Sequence, residues 1–379
     1  MSLLRSRQIG SLLLIIFLAS CGGNGGDPDP VVDPLDRVPM LTHWADNIVI
    51  PSYDKFDAKL DAMVNSAASF SSSPTAITLA TFRSSWIEAY VEWQKVELFE
   101  FGPADRTTMR NFFNIYPADE AGIAQNIADP NSNLALPAAY ASQGFPALDY
   151  LLNGLADTDQ GILELYTSHP DAAKRLAYIK RLTDRMTSIL TTVISDWKGS
   201  YRDTFISKTG LDIGSSTSLV VNSYVLNYER FIRSGKIGIP SGAMTSSGGI
   251  KYPEKVEAYY QRDISLTLAK TAHQASIDFF TGKGASTDTE GPSFKSYLNA
   301  LDAKDPNTGT LLSQIIIDQF AAANLKLGTL GENLYEQVLN NNQPMIDTYT
   351  EMQKAVRLIK VDMTSAMSVT ITFTDNDGD

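Results

Sequence analysis

The chain has 379 residues, and its 31 Lys and Arg side chains are outnumbered by 43 Asp and Glu, which gives a formal net charge of −12. A hydrophobic content of 43% is typical of a globular chain and excludes wholesale disorder. The acidic balance excludes a nucleic-acid-binding protein, because no basic excess is present to neutralise phosphates. One cysteine and three histidines exclude a disulfide framework within the chain and a zinc site with several thiolate ligands.

The first twenty residues predict an export signal. Arg5 and Arg7 precede an apolar run over residues 12–18, which is shorter than the ~20 residues that span a bilayer. Residues 18–21, Leu-Ala-Ser-Cys, resemble a bacterial lipobox, in which the cysteine is lipidated and becomes the first mature residue. We therefore expect residues 1–20 to be a lipoprotein signal peptide and Cys21 to anchor the protein in a bacterial membrane. A plain signal peptide with a cysteine near its end is the alternative.

Residues 21–36 are rich in Gly and Pro and contain three Asp-Pro steps, which predicts a flexible tether. Beyond the tether, apolar residues recur at helical spacing almost throughout. The stripes run through residues 86–96, 176–197 and 345–363, and another is predicted to start at Pro253 and to continue through Val256, Tyr260 and Ile264. Only Val369, Ile371 and Phe373 alternate, which predicts one short extended segment.

These elements predict an all-α fold of two packed helical-bundle domains with little or no strand content. The chain beyond the tether is too long for one simple four-helix bundle. Trp197 ends one stripe, and several glycines follow it. We therefore expect an N-terminal bundle over residues 37–208 and a C-terminal bundle over residues 209–379.

Several blocks of sequence, in order along the chain, resemble the imelysin-like proteins of bacterial envelopes. They are residues 45–53 (ADNIVIPSY), the helix around Trp86 ending in Phe101-Gly102-Pro103, the step Tyr116-Pro117, residues 236–240 (KIGIP) and residues 373–379 (FTDNDGD). The resemblance implies two helical bundles. It also implies a link to iron uptake and to a proposed metallopeptidase activity, for which the family is named.

The family signature is G-x-H-x-x-E, whose histidine and glutamate are taken as metal ligands. The matching residues here are Gly144, Pro146 and Asp149, so that proline replaces the histidine and aspartate replaces the glutamate. Proline offers no lone pair to a metal and fits the first turn of a helix. Asp149 then has two interpretations: a carboxylate in or near the positively charged first turn, or a retained functional group.

Other ionisable residues are candidate members of a site. Glu97 continues the apolar face of the Trp86 helix and stands where the resemblance would put a family glutamate, and it has two interpretations: a ligand-binding residue, or a buried group paired with a neighbouring helix. Glu92 and Glu100 are expected in solvent. The three histidines, His43, His169 and His273, are expected at the surface or as capping residues. Residues 375–379 (DNDGD) resemble the opening of a calcium loop but lack its ~12-residue length, so a solvated turn is expected.

The sequence thus predicts a lipid-anchored protein of the cell envelope, in the outer membrane, with no nucleic-acid partner. Its predicted role is non-catalytic binding of an iron-containing ligand, or of an envelope protein partner, during iron or metal uptake. The ligand-binding residues are expected to be Gly144, Pro146, Asp149 and Glu97, and the cofactor to be iron or another divalent metal, if any. A metallopeptidase with a non-standard carboxylate site and a purely structural envelope protein are the alternatives.

Overall fold

The computed structural model describes residues 35–244, 248–287 and 289–374. Over these residues the chain is helical and forms no strand. Isolated bridges join Lys283 to Glu290 and Lys304 to Leu311. The predicted all-α class is confirmed. Cys21 and the other residues of the predicted signal and tether up to residue 34 lie outside the described residues, as does the segment 375–379.

The α-helices are, in chain order, α1 (Val38–His43), α2 (Ile50–Ser72), α3 (Ala76–Trp93), α4 (Pro103–Thr107), α5 (Met109–Phe113), α6 (Glu120–Ala128), α7 (Gly144–Asp149), α8 (Asp159–Thr167), α9 (Ala172–Asp196), α10 (Arg202–Ser207), α11 (Ser216–Leu226), α12 (Ile239–Ser241), α13 (Ser265–Thr281), α14 (Phe294–Ala300), α15 (Leu312–Leu327), α16 (Leu334–Asn340), α17 (Gln343–Arg357) and α18 (Thr364–Ala366). Wider, π-helical segments are Trp44–Val49, Tyr150–Gly154, Trp197–Tyr201, Asn227–Gly238 and Leu358–Met363. Tight 3₁₀ turns are Glu97–Phe99, Pro137–Ser142 and Pro253–Lys255.

The first half of the fold is built around α2, which packs against both α3 and α9. The start of α3 is fixed by a capping box, in which the Thr75 and Thr78 side chains accept hydrogen bonds from each other's backbone N–H. The apolar stripe predicted for α3 is confirmed, since Trp86, Ala89 and Tyr90 are all buried. The stripe predicted for α9 is buried in the same way.

The second half packs α15 and the π-helical segment Asn227–Gly238 against α17. The predicted stripe of α17 is confirmed, because Met345, Met352 and Val356 are buried and the pattern continues into Leu358–Met363. The described residues from Asp36 onward belong to one compact unit. The boundary near residue 208 between two bundles stays a prediction.

One element differs from the sequence interpretation, and the segment near the C-terminus agrees with it. The helix predicted from Pro253 to Ile264 is wrong: only the turn Pro253–Lys255 forms, and an irregular segment follows in which Ala258 and Arg262 have positive φ angles of 56° and 60°. Val369 to Phe373 lies outside any helix, as predicted. It is held by Asn222, whose side-chain amide binds the Thr370 carbonyl at 3.0 Å and the Thr372 N–H at 2.7 Å.

Among the described residues, no helix is both long and apolar enough to cross a membrane.

Candidate functional site

The segment that replaces the family signature begins α7 and is entirely buried. Gly144 has a φ of +72°, and a Cβ atom at this position would lie 2.2 Å from the Phe113 carbonyl oxygen, so only glycine fits. Pro146 is the third residue of the helix, where its missing N–H costs no hydrogen bond. The Phe145 ring stacks on Tyr90 of α3, with 4.5 Å between ring centroids. The motif position is therefore packed as part of the core.

Asp149 is the last residue of α7 rather than part of its first turn, so the predicted interaction with the helix N-terminus is wrong. Its Oδ2 accepts the Tyr260 backbone N–H at 2.9 Å, and its Oδ1 accepts the Gln261 N–H and the Asn153 amide, both at 3.0 Å. Burial raises the pKa of Asp149 to about 7, although all three hydrogen bonds favour the charged form. Asp149 ties α7 to the irregular segment that follows Pro253.

Glu97 lies in the turn just after α3 and is buried, as the second of its two interpretations requires. It belongs to a group of side chains that we call the Glu257 cluster. The cluster consists of Tyr90, Gln94, Glu97, Asn114, Lys236 and Glu257, each of which is at most 3% exposed. Its members come from α3, α5 and their connections in the first half of the chain, and from residues 236 and 257 in the second half. The cluster thus joins the two halves in the interior.

Glu257 is the acceptor at the centre of this cluster. Its Oε1 accepts hydrogen bonds from the Gln94 amide at 3.1 Å and the Asn114 amide at 2.8 Å. The Tyr90 hydroxyl lies 3.1 Å from the same oxygen, and its shorter hydrogen bond goes to Asn114 Oδ1 at 2.6 Å. Its Oε2 forms an ion pair with the Lys236 ammonium group, which also donates to Gln94 Oε1 at 2.7 Å. Both oxygens of Glu257 are therefore occupied, and its charge is neutralised by a buried cation.

Glu97 is less fully satisfied. Its Oε1 accepts a hydrogen bond from the Asn114 amide at 3.2 Å, while its Oε2 is buried without a partner. Burial raises the pKa of Glu97, an effect that Lys236 and Arg110 oppose and Glu257 reinforces. Arg110 donates to the Glu97 backbone carbonyl at 2.7 Å rather than to its carboxylate. Glu97 is the one member of the cluster with a carboxylate oxygen left over.

These donor sets do not fit a metal ion. Among the described residues no group of three or more His, Cys, Asp or Glu side chains converges as a metal site would require. Pro146 offers no ligand atom, both oxygens of Asp149 accept N–H groups, and both oxygens of Glu257 are occupied. Glu97 and Asp149 are not joined by any hydrogen bond, although both lie close enough to Tyr90 to raise its pKa.

Sequence reasoning missed Lys236 and Glu257, which form the buried ion pair of the cluster. Lys236 was noted only as part of the block 236–240, and Glu257 lies in a segment that was interpreted as helix. Gln94 and Asn114 carried a usable signal, because each directly follows a buried aromatic residue, Trp93 and Phe113. A polar side chain in such a position needs a buried partner.

Several single-residue expectations were also wrong. His273 is fully buried, where it interacts with the Phe320 carbonyl and the Tyr228 hydroxyl, and burial lowers its pKa to about 4. Glu92 is buried, and burial raises the pKa of Glu100 to about 7. The His169 side chain does not cap α9; its Nδ1 accepts the Asp171 N–H at 3.0 Å in the turn that precedes this helix.

A cleft with several charged lining residues has a volume of about 390 Å³ and lies between α2, α3 and the end of α13. Glu97, Gly144, Pro146 and Asp149 do not line it. Its charged lining residues are Lys55, Glu92, Lys95, Asp278 and Lys283. This cleft lies beside the C-terminal end of α3, where Glu92 and Lys95 line it.

Comparisons with known proteins agree with this architecture. The family model described as Imelysin (Peptidase_M75) matches residues 49–360. The chain is 28% identical over 109 residues to iron-regulated protein A of Synechococcus elongatus, a match that covers 29% of this chain and only 30% of that relative.

Two crystal structures share the fold. A candidate iron-regulated protein A precursor from Parabacteroides distasonis has a TM-score of 0.68 at 18% identity, covering 86% of this chain and 95% of that chain. An imelysin-like protein from Psychrobacter arcticum has a TM-score of 0.66 at 20% identity, covering 88% and 96%. Because the family model matches most of the sequence, this chain belongs to the imelysin family.

Proposed function

We propose that the protein is a lipid-anchored component of the bacterial cell envelope that binds a ligand or a protein partner during iron or metal uptake, without catalysing a reaction. Its anchor is Cys21, lipidated after removal of residues 1–20, and its membrane is the outer membrane. The association with iron rests on the relatives named iron-regulated protein A. The non-catalytic role rests on the chain's own residues.

The observation that carries the non-catalytic role is the state of Asp149. A hydrolytic metal site needs about three protein ligands and an open position for water. Asp149 instead uses both carboxylate oxygens to bind the backbone of residues 260 and 261. Asp149 thus serves to anchor this segment, and no second or third His, Cys, Asp or Glu among the described residues joins it to complete a metal site.

The cleft beside α3 is the place where a ligand fits this role. Its volume of about 390 Å³ falls within the range of small-molecule sites. The cleft is lined by lysines from three elements, Lys55, Lys95 and Lys283. The aromatic side chains of Phe99 and Phe279 form part of its base. Lysines near an apolar floor favour a ligand that carries negative charge on an organic body.

Calorimetric titration of the purified protein with ferric iron, ferrous iron, zinc and haem tests the ligand-binding form of this proposal. We expect haem, which carries negatively charged carboxylates on an organic body, to bind and its affinity to fall in Lys95→Gln. Lys180→Gln is the matched control, because Lys180 is an exposed lysine on α9 whose charge lies outside the cleft. No heat with any of the four leaves only the partner-binding form.

Mass spectrometry of the protein from membranes tests the anchor. A mature chain that begins at a lipidated Cys21 is expected, and an unmodified Cys21 would refute lipid anchoring.

The metallopeptidase alternative is favoured only by the unpartnered Oε2 of Glu97. Zinc-dependent peptide cleavage that is lost in Glu97→Ala, with the fold intact, would replace our proposal by that alternative.

A further inference from the structure

Two arginines one turn apart on α9 have opposite surroundings. The Arg181 guanidinium is bound by α6 and the loop that follows it, because it donates to the carbonyls of Asn126 at 3.2 Å and Ser132 at 2.6 Å and to the Ser132 hydroxyl at 3.0 Å. Arg185 makes no hydrogen bond and no ion pair with any described residue. Its guanidinium lies over the Phe112 ring, 4.1 Å from the centroid.

Arg185 is nevertheless not a freely solvated side chain. Its Nε is buried without a hydrogen-bond partner, and burial lowers its pKa. A charge that is partly removed from water and has no counter-ion is destabilising. Stacking on Phe112 fixes the plane of the guanidinium, so the side chain is already ordered in the absence of a partner.

Arg185 lines a cleft of about 550 Å³ at the surface of α9. The remaining wall carries groups that bind hydroxyls and amides, chiefly Asn131, Ser132, Asn133 and Ser188. Asp184 also lines the cleft, but its carboxylate is paired with Lys180, whose ammonium lies 2.7 Å from Oδ2 and 2.9 Å from Oδ1. The acid at the cleft therefore does not neutralise Arg185.

We propose that this cleft binds a small carboxylate ligand that carries hydroxyl groups, such as a sugar acid, with the Arg185 guanidinium holding the carboxylate. A guanidinium offers a planar pair of N–H donors that matches a carboxylate. Arg185 is the cation at the cleft whose N–H groups remain available, because those of Arg181 already donate to carbonyls and a hydroxyl. The Asn and Ser side chains supply partners for the hydroxyls of the ligand, which phosphate lacks. The site shares no residue with the Glu257 cluster or with the cleft beside α3.

Ligand-observed saturation-transfer NMR with the full-length protein tests the proposal. The probes are glucuronate, glucose as its neutral counterpart, and inorganic phosphate. We expect glucuronate to bind, glucose to bind at least about tenfold more weakly because a charge-assisted bidentate contact contributes over 1.4 kcal/mol, and phosphate to bind less well than glucuronate.

Arg185→Gln is expected to weaken glucuronate binding by about tenfold or more, while Arg185→Lys, which keeps the charge but loses the fork, weakens it less. Lys174→Gln removes an exposed positive charge from the same helix and is expected to leave binding unchanged. Thermal melts verify that each variant is folded. Equal binding of glucose and glucuronate, tighter binding of phosphate, unchanged binding in a folded Arg185→Gln, or no glucuronate binding by the wild type would each overturn the proposal.

Discussion

The buried ion pair between Lys236 and Glu257 gives the sharpest test of how the two halves of the chain are joined. Both side chains are 2% exposed. Removing one partner of such a pair leaves the other charge buried and costs about 3–5 kcal/mol in the free energy of unfolding. We expect Lys236→Met and Glu257→Gln both to fall in this range.

The two substitutions are not equivalent. Lys236→Met leaves Glu257 beside Glu97, and these two carboxylates already act on each other unfavourably. Glu257→Gln leaves Lys236 within reach of Glu97, whose pKa Lys236 lowers, so a counter-ion remains. The lysine substitution should therefore lie at the upper end of the range, near about 5 kcal/mol, and the glutamate substitution at the lower end, near about 3 kcal/mol.

The double variant Lys236→Met/Glu257→Gln removes both charges and keeps an acceptor for Tyr90 and Asn114. Only Gln94 Oε1 loses its donor, at a cost of about 1–3 kcal/mol. The double variant should thus be at least about 2 kcal/mol more stable than the sum of the single effects predicts. The exposed pair Lys180–Asp184 is the control, for which Lys180→Met should cost no more than about 0.5 kcal/mol.

Urea unfolding of each purified variant, followed by far-UV circular dichroism at neutral pH, measures these differences. Additive single effects would show that the two charges do not interact across the interior. Single effects below about 1 kcal/mol would show that water reaches the cluster and screens it. Either result would refute our account of how the halves are held together.

Three further predictions concern stability. Asp149 keeps a proton in the folded state between about pH 4 and 7 that the unfolded chain has lost, so unfolding becomes easier as pH rises through this window, by up to about 4 kcal/mol. Asp149→Asn should reduce that slope in urea titrations at several pH values and leave the part that Glu100 contributes in the same window. An unchanged slope would contradict the assignment. His273 changes the free energy of unfolding with pH in the opposite direction, because its pKa falls from 6.5 to about 4 in the folded state. The stability that the neutral imidazole contributes is therefore lost as pH falls through that interval, by about 3 kcal/mol. His273→Phe should make the free energy of unfolding less sensitive to acid. Gly144→Ala should lower the melting temperature, because the positive φ alone costs about 1–3 kcal/mol and the new methyl group clashes with the Phe113 carbonyl. A melting temperature equal to that of the wild type would show that α7 can shift.

The long helices were predictable because their signal is local. A stripe such as Met345, Met352 and Val356 reports burial through spacing alone, and α17 forms where the stripe lies. The segment after Pro253 misled the same reasoning, because Val256 is buried and fits a helical pattern by chance. Its irregular path is set by distant partners, Asp149 and the Glu257 cluster, which no local pattern encodes.

The candidate site was half predictable for a related reason. The sequence identified Glu97 as a carboxylate on an apolar face that needs a partner and Asp149 as the carboxylate at the motif position, and both are buried. It could not supply the partners, since the Lys236 ammonium reaches Gln94 across 142 positions of chain and Asp149 reaches Gln261 across 112. Spacing along the chain carries no information about such contacts.

The cluster around Glu257 has a consequence for the order in which the protein can fold. During synthesis the residues up to Asn114 leave the ribosome well before Lys236 and Glu257 do. Until then, the Gln94 amide lacks its Glu257 acceptor, although Tyr90 and Asn114 can still pair with each other. Asp149 has no backbone of residues 260 and 261 to hold. A chain cut at residue 208 would be trapped at this stage, with polar groups that it can neither pair nor return to water without opening its core.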